Sequence, residues 1–262
     1  LSLASRLPAA ATTPKLFPTL GIAAPLQDAV ALKAAGAAYL TEGVDRFLVP
    51  DQPEDVFNRN LEALSASPLP VLACNNFIRP RHLRCVGADA THDQVLEWAD
   101  TTFRRAQRAG VKFIVFGSSG SRALRDGWTK EQADPQFVAL LKRMGELAAG
   151  HGVVVTLEQL RRQECNYINH LAEGAAIIRA VDHPNIRLLA DFYHMVAVDD
   201  TPEDLKAALD VVVHLEIAEL QGRTVPGVNG QDFRPFFQVL RAGGYTGSLS
   251  IEGNWRIEQV AP

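Results

Sequence analysis

The chain is poor in cysteine, has no long apolar run and carries no block of like charge, and each shortage excludes a class of protein. Cys74, Cys85 and Cys165 are odd in number, widely spaced and without a CxxC pair. They build neither a disulfide framework nor a zinc knuckle, so reduced core or loop thiols are expected. No stretch reaches the roughly 18 consecutive apolar residues that cross a bilayer. The 26 Lys and Arg are interspersed with 30 Asp and Glu for a net charge of -4. That balance argues against nucleic acid or an anionic membrane as the main partner.

What is present is a regular alternation of segments over 262 residues, a length that suits one (β/α)8 barrel. Residues 1–16 are Ala-rich and aperiodic and read as an N-terminal extension or linker ahead of a single domain over 17–262. A cytoplasmic protein is the expectation, with the remnant of an exported leader as the alternative. Strand-like runs fall at 17–24, 37–44, 70–77, 111–117, 153–157, 186–191, 211–217 and 248–252. Helical patterns fall at 27–35, 54–64, 92–109, 135–149, 202–209 (with Thr201 as N-cap) and 232–242, with a further one between the fifth and sixth strands. Eight βα-type strands in series favour a closed parallel TIM barrel over an open sheet. Only ten residues follow Glu252, so the eighth helix is expected to be short or missing, or its place covered by the N-terminal segment.

The polar residues at the C-terminal ends of these strands form a coherent set. The fifth strand ends on Glu158, and the sixth on Asp191 with His194 three residues later. The seventh carries His214, Glu216 and Glu219, and the eighth ends on Glu252. Earlier strands add Glu42, Asn75, Asn76, Ser118 and Ser119. A single strand-end acid is as easily a salt-bridge partner. Four on consecutive strands point to a site, because an unpaired buried carboxylate is costly unless a metal or a cation meets it. Period-two alternation puts His214 and Glu216 on one side of their strand. A carboxylate-dominated set with one or two imidazoles suits Mn²⁺ or Mg²⁺, with Co²⁺ or Zn²⁺ as softer options.

Four segments carry a resemblance: TLEQLRRQECN (156–166), HPNIRLLADFYHM (183–195), HLEIAELQGRTVPGVNG (214–230) and GYTGSLSIEGNW (244–255). On these the chain resembles the xylose-isomerase-like TIM-barrel superfamily of sugar isomerases and epimerases, which includes hydroxypyruvate isomerase and the ketose 3-epimerases. The resemblance implies that Glu158 and Glu252 are both metal ligands and the acid/base pair, and that Asp191 is a further ligand. It implies substrate contacts from His194, Glu164 and Arg223. The departure lies on the seventh strand, where the family usually reads H-x-H and this chain has His214-Leu215-Glu216. By register Glu216 takes the ligand position. Three outcomes stay open: Glu216 coordinates, His214 swings in, or the site is impaired.

The expected chemistry is proton abstraction beside the carbonyl of a small-molecule keto-sugar, through a metal-stabilised enediolate. Return of the proton to the other face gives an epimerase, and return to the adjacent carbon an isomerase. Loss of a leaving group gives a lyase acting on 3-keto-glycosides. Competing readings are an endonuclease IV-type phosphodiesterase, disfavoured by the acidic balance and two strand-end histidines, and a non-catalytic sugar-binding barrel subunit. Trp255 and Phe192 are candidates for an apolar wall beside the sugar, and Trp128 for a lid or a subunit contact. His82, His92, His151, His170 and His183 read as solvated. The faces 103–105 and 236–240 suggest contacts of a homo-oligomer.

Overall fold

Apolar strands alternating with amphipathic helices close the chain on itself, as the computed structural model shows for residues 17, 19–125 and 127–259. The strands are β1 (Leu20–Ala23), β2 (Tyr39–Gly43), β3 (Val71–Asn75), β4 (Phe113–Phe116), β5 (Val154–Glu158), β6 (Ile186–Asp191), β7 (Val212–Ile217) and β8 (Ser248–Ile251). Each pairs in parallel with its sequence neighbour and β8 returns to β1, giving a closed barrel in strict order. This is the TIM-barrel architecture. Residues 1–16, read from sequence as an extension or linker, lie outside the described residues.

The outer layer is built from α1 (Ala29–Ala34), α2 (Glu54–Ser65), α3 (His92–Ala109), α4 (Ser119–Arg122), α5 (Lys130–Gly150), α6 (Leu171–Val181), α7 (Phe192–Ala197), α8 (Pro202–Ala208) and α9 (Arg234–Ala242). After β8 the described residues hold only a 3-10 turn, Ile257–Gln259, in place of a full eighth helix. Helix α3 has the bounds its pattern predicts, closed by Gly110 in the left-handed conformation. Thr201 caps α8 with its side chain on the Asp204 amide, as expected.

Several boundaries differ from the sequence reading. Helix α5 begins at Lys130, five residues before the predicted start, and contains Pro135. Gln132 reaches back to the Thr129 amide (3.0 Å) and fixes the helix start at Lys130, so Pro135 falls inside the helix, in its second turn, where its missing N–H leaves the Glu131 carbonyl without the usual i→i−4 donor. Helices α4 and α7 escaped the pattern because each is a short turn directly after a strand, too short for periodicity to register. The large side chains that suggested exposed faces at 103–105 and 236–240 point inward instead. Phe103, Arg105, Phe236 and Leu240 are all buried within the single chain. Arg105 is aimed inward to donate to the carbonyls of Leu48 and Gln52 (2.9 and 2.8 Å).

Among the buried arginines, Arg105 and Arg122 both brace the frame in this way. Arg122 is the larger device: wholly buried, it donates Nε to Gly117 O (2.6 Å), Nη2 to Glu158 O (2.8 Å) and Nη1 to Tyr167 O. It thereby ties the ends of β4 and β5 to the loop that follows β5. The three cysteines are buried and free. No helix among the described residues is long and apolar enough to cross a membrane.

The helix–barrel interface offers a direct stability test. Phe137 of α5 is fully buried, edge-on to both Phe116 of β4 and Tyr167 (centroids 5.7 and 5.8 Å). Phe137→Ala is expected to cost about 3–5 kcal/mol of unfolding free energy in a denaturant titration. A loss below about 1 kcal/mol would mean that α5 does not lock against the barrel there.

Candidate active site

Carboxylates from four consecutive strands converge at the C-terminal mouth of the barrel. Glu158 ends β5, Asp191 ends β6, Glu216 lies near the end of β7 and Glu252 follows β8 directly. One oxygen from each lies within 4.8 Å of the others. Parallel register produces this. Asp191 pairs with Glu216, and Glu216 with Ser250, two residues ahead of Glu252. Gly117, just past β4, completes the space, since a Cβ there would collide with Glu158 Oε2.

Three of the four acids are nearly sealed from solvent, with Glu158 6%, Asp191 1% and Glu216 0% exposed. Asp191 Oδ2 and both oxygens of Glu216 have no hydrogen-bond partner. Burial, and then the negative charge of Glu252 and Asp191, push Glu158 well above the usual carboxylate range. Burial and the three neighbouring acids do the same to Glu216. Asp191 is raised to about 7 by burial and then by Glu252. Glu252 is better served: Asn75 donates Nδ2 to its Oε1 (2.7 Å), and Arg223 forms an ion pair with its Oε2.

His194 faces the same cluster. Its Nδ1 accepts from the Arg161 amide (3.2 Å), which assigns the ring proton to Nε2. That nitrogen stands 3.5 Å from both Glu158 Oε1 and Asp191 Oδ2. Burial, followed by the Arg223 and Arg161 charges, depresses its pKa to about 2, so the ring is neutral. Glu164 pairs with Arg161 (2.7 Å) and lies 3.9 Å from Arg223 Nη1. Above the cluster opens a cavity of about 350 Å³. Its walls are Asn75, Asn76, Ile78, Arg79, residues 117–120, Glu158, Leu160, Glu164, His194, Arg223 and Glu252.

The structure therefore brings together Glu158, Asp191, Glu216, Glu252, His194, Glu164 and Arg223. Glu158, Asp191, Glu216 and Glu252, or Glu158 and Asp191 with His194, offer donor sets for a cation. Of the other expected site residues, Asn75, Asn76, Ser118 and Ser119 line the cavity, whereas His214, Glu42 and Glu219 lie elsewhere. His214 is fully buried below the cluster, stacked on Phe113 (5.2 Å) with Nδ1 on Ser248 Oγ (2.7 Å), and does not line the cavity. Its Nε2 is 4.0 Å from Glu216 Oε1. Glu42 is consumed by the amides of Leu26 and Gly43 (2.6 and 2.9 Å) and by Arg46. Glu219 clamps the following loop, accepting from the amides of Gly227 (2.7 Å) and Asn229 (2.6 Å).

No aromatic wall forms from the two residues expected to supply it. Phe192 is buried and stacked on Phe236 (4.9 Å), because the turn of α7 directs it outward to the helices. Trp255 donates to Ala23 O (3.3 Å) and lines a different groove. Trp128 packs half-buried against the core rather than standing as a lid. Of the histidines read as solvated, His82 is exposed. His92 meets Cys85 O (2.9 Å) and His170 meets Asp200 (2.7 Å), both half-buried. Sequence reasoning missed Gln159, buried with Nε2 on Asp191 O (3.2 Å), and Tyr193. Adjacency to Glu158 and His194 was the one signal that marked them.

The model of the xylose isomerase-like TIM barrel family matches residues 26–261. The chain belongs to that family. Among curated members it is 35% identical over 122 residues to 3-dehydro-D-guloside 4-epimerase of Escherichia coli, covering 46% of each chain. It is 33% identical over 148 residues to L-ribulose 3-epimerase of a Methylomonas species, covering 56% of this chain and 49% of the relative. These matches thus span about half the length of the curated relatives. Over the whole barrel the fold is similar to the apo crystal structure of 3-keto-D-glucoside 4-epimerase from E. coli. The TM-score is 0.76 at 22% identity, with 92% of this chain and 94% of that one covered.

The crowded carboxylates carry a pH signature. A carboxyl whose folded pKa is raised, as for Asp191 from 3.8 to about 7, holds its proton more tightly folded than unfolded. Its contribution to stability is complete below the unfolded value and is lost as pH rises through about 7. In a chelator, the thermal midpoint is expected to fall between about pH 5 and 7.5, and Asp191→Asn to flatten that slope. A midpoint that rises with pH in the wild-type chain over this range would contradict the repulsion.

Proposed function

We propose that the chain is a divalent-metal-dependent sugar epimerase or isomerase that moves a proton beside the carbonyl of a keto-sugar. The observation that carries this reading is the convergence of four carboxylates from β5 to β8, with three buried oxygens lacking any partner. Four hard oxygen donors without a thiolate fit Mn²⁺ or Mg²⁺ better than softer ions. Glu158, Asp191, Glu216 and Glu252 would hold the cation, with Glu216 standing where the family has histidine. A bound divalent cation would supply the positive charge that polarises a substrate carbonyl and acidifies the neighbouring C–H.

The chain's own groups supply the rest. Glu158 and Glu252 come from different strands, and each has an oxygen within reach of the cavity. One removes the proton and the other returns one, to the opposite face for epimerisation or to the next carbon for isomerisation. The neutral His194 keeps an Nε2–H donor among acceptors, suited to hold a substrate oxygen. Arg223 and Glu164, both half-buried on the cavity wall, offer a cationic donor and an acceptor to hydroxyls. The polar walls Asn75, Asn76, Ser118 and Ser119 suit a hydroxyl-rich ligand.

A relative named for a 3-dehydro-guloside makes 3-keto-glycosides a substrate class to try alongside free ketoses. With such a substrate, proton removal followed by departure of the aglycone would register as a lyase.

Elemental analysis of purified protein is expected to find about one Mn or Mg per chain, falling in Glu216→Ala. In deuterated solvent, turnover of a keto-sugar should incorporate deuterium at the carbon beside the carbonyl. Glu158→Gln and Glu252→Gln should each reduce that exchange by at least about 10²-fold. Exchange unchanged in both variants would sink the acid/base assignment.

A further inference from the structure

The ring of Tyr193 contacts the side chains that flank the carboxylate cluster. It is buried, at 3% exposure, and two guanidiniums lie against it, with Arg161 5.0 Å and Arg223 4.6 Å from its centroid. Arg161 is in turn paired with Glu164, and Arg223 with Glu252.

Arg223 has a demanding position. Its backbone is in the left-handed region (φ 50°), and its guanidinium stands within ion-pair distance of three acids at once. Besides Glu252, these are Glu164 at 3.9 Å and Asp191 Oδ2 at 3.7 Å. The last is one of the orphaned oxygens, within Coulombic reach of Nη2 but outside hydrogen-bond distance. A guanidinium free to swing would close on Asp191 and take up an oxygen offered to the cation. A planar guanidinium prefers an aromatic face, and the preference grows when both are shielded from water.

We infer that Tyr193 is a positioning residue: its ring holds Arg223 at the rim, on Glu252, and so keeps the guanidinium from competing with a divalent cation for Asp191. This rests on the metal-site reading above. The stack uses the ring face, so phenylalanine serves equally well, whereas an aliphatic side chain of similar bulk does not.

The test is Mn²⁺ binding by titration calorimetry, with thermal unfolding of each variant as a check on folding. Tyr193→Leu is expected to weaken Mn²⁺ binding by about 5- to 30-fold, the range a partly desolvated cation–π contact supplies. Tyr193→Met, which also fills the space without a π face, should do the same and serves if the leucine variant does not fold. Tyr193→Phe should bind as the wild type does. With Arg223→Met in the background, Tyr193→Leu or Tyr193→Met should change the affinity no further. An equal loss in both backgrounds would mean that the ring acts only through packing, and would overturn the inference. So would unchanged affinity in the single aliphatic variants. A wild-type chain that binds no Mn²⁺ would remove the metal-site reading itself, and this inference with it.

Discussion

Mutual repulsion among four carboxylates at the mouth of the barrel is the constraint on which the rest of the site depends. Three of them are withdrawn from water, which weakens the screening that would otherwise separate like charges. Burial and repulsion act in the same direction, raising Glu158, Asp191 and Glu216 together. A chain selected for stability alone would disperse such a cluster or pair every member. Here Arg223 is the cation closest to it, and even that contacts mainly Glu252. Local conflict of this kind belongs to a site, and the surrounding fold must hold it in place.

The frame does so by fixing backbones rather than by neutralising charge. Arg122 joins the β4 and β5 ends through carbonyls, so Glu158 is anchored at its main chain while its carboxylate stays free. Gly117 gives that carboxylate room. The Tyr193 amide takes Asp191 Oδ1 and leaves Oδ2 open toward the cluster. Glu219, a residue of the same type only three positions beyond Glu216, meets the opposite fate. Four loop amides satisfy it, and with the Asn229 and Gly227 donors outweighing burial its pKa lies below the usual range. Two glutamates on one strand exit thus differ in role because of what the following loop offers each.

Much of this was legible beforehand. The eight strands, their order and the residues ending β5, β6 and β8 follow from apolar runs that terminate on acids. A buried strand leaves few other interpretations. The limits of the reading were equally physical. Helices α4 and α7 are too short for a period to register. Stripes such as Phe103 with Arg105 look alike whether they face a barrel or a partner, since both are apolar surfaces at helical spacing. Phe192 and Trp255 were placed near the rim by position alone, and their ring directions depend on turn geometry that composition does not encode.

The sequence by itself determined the barrel and the identity of its strand-end acids, Glu216 on β7 among them, because strand period and strand order are local properties of the chain. Tertiary structure decided which acids meet. Parallel register and the closure of β8 on β1 set Glu158, Asp191, Glu216 and Glu252 within one cation's reach. The same closure left Glu42 and Glu219 satisfied by nearby amides, and His214 sealed beneath the cluster beside Ser248. Distance between side chains on different strands is a property of closure, and no stretch of sequence contains it.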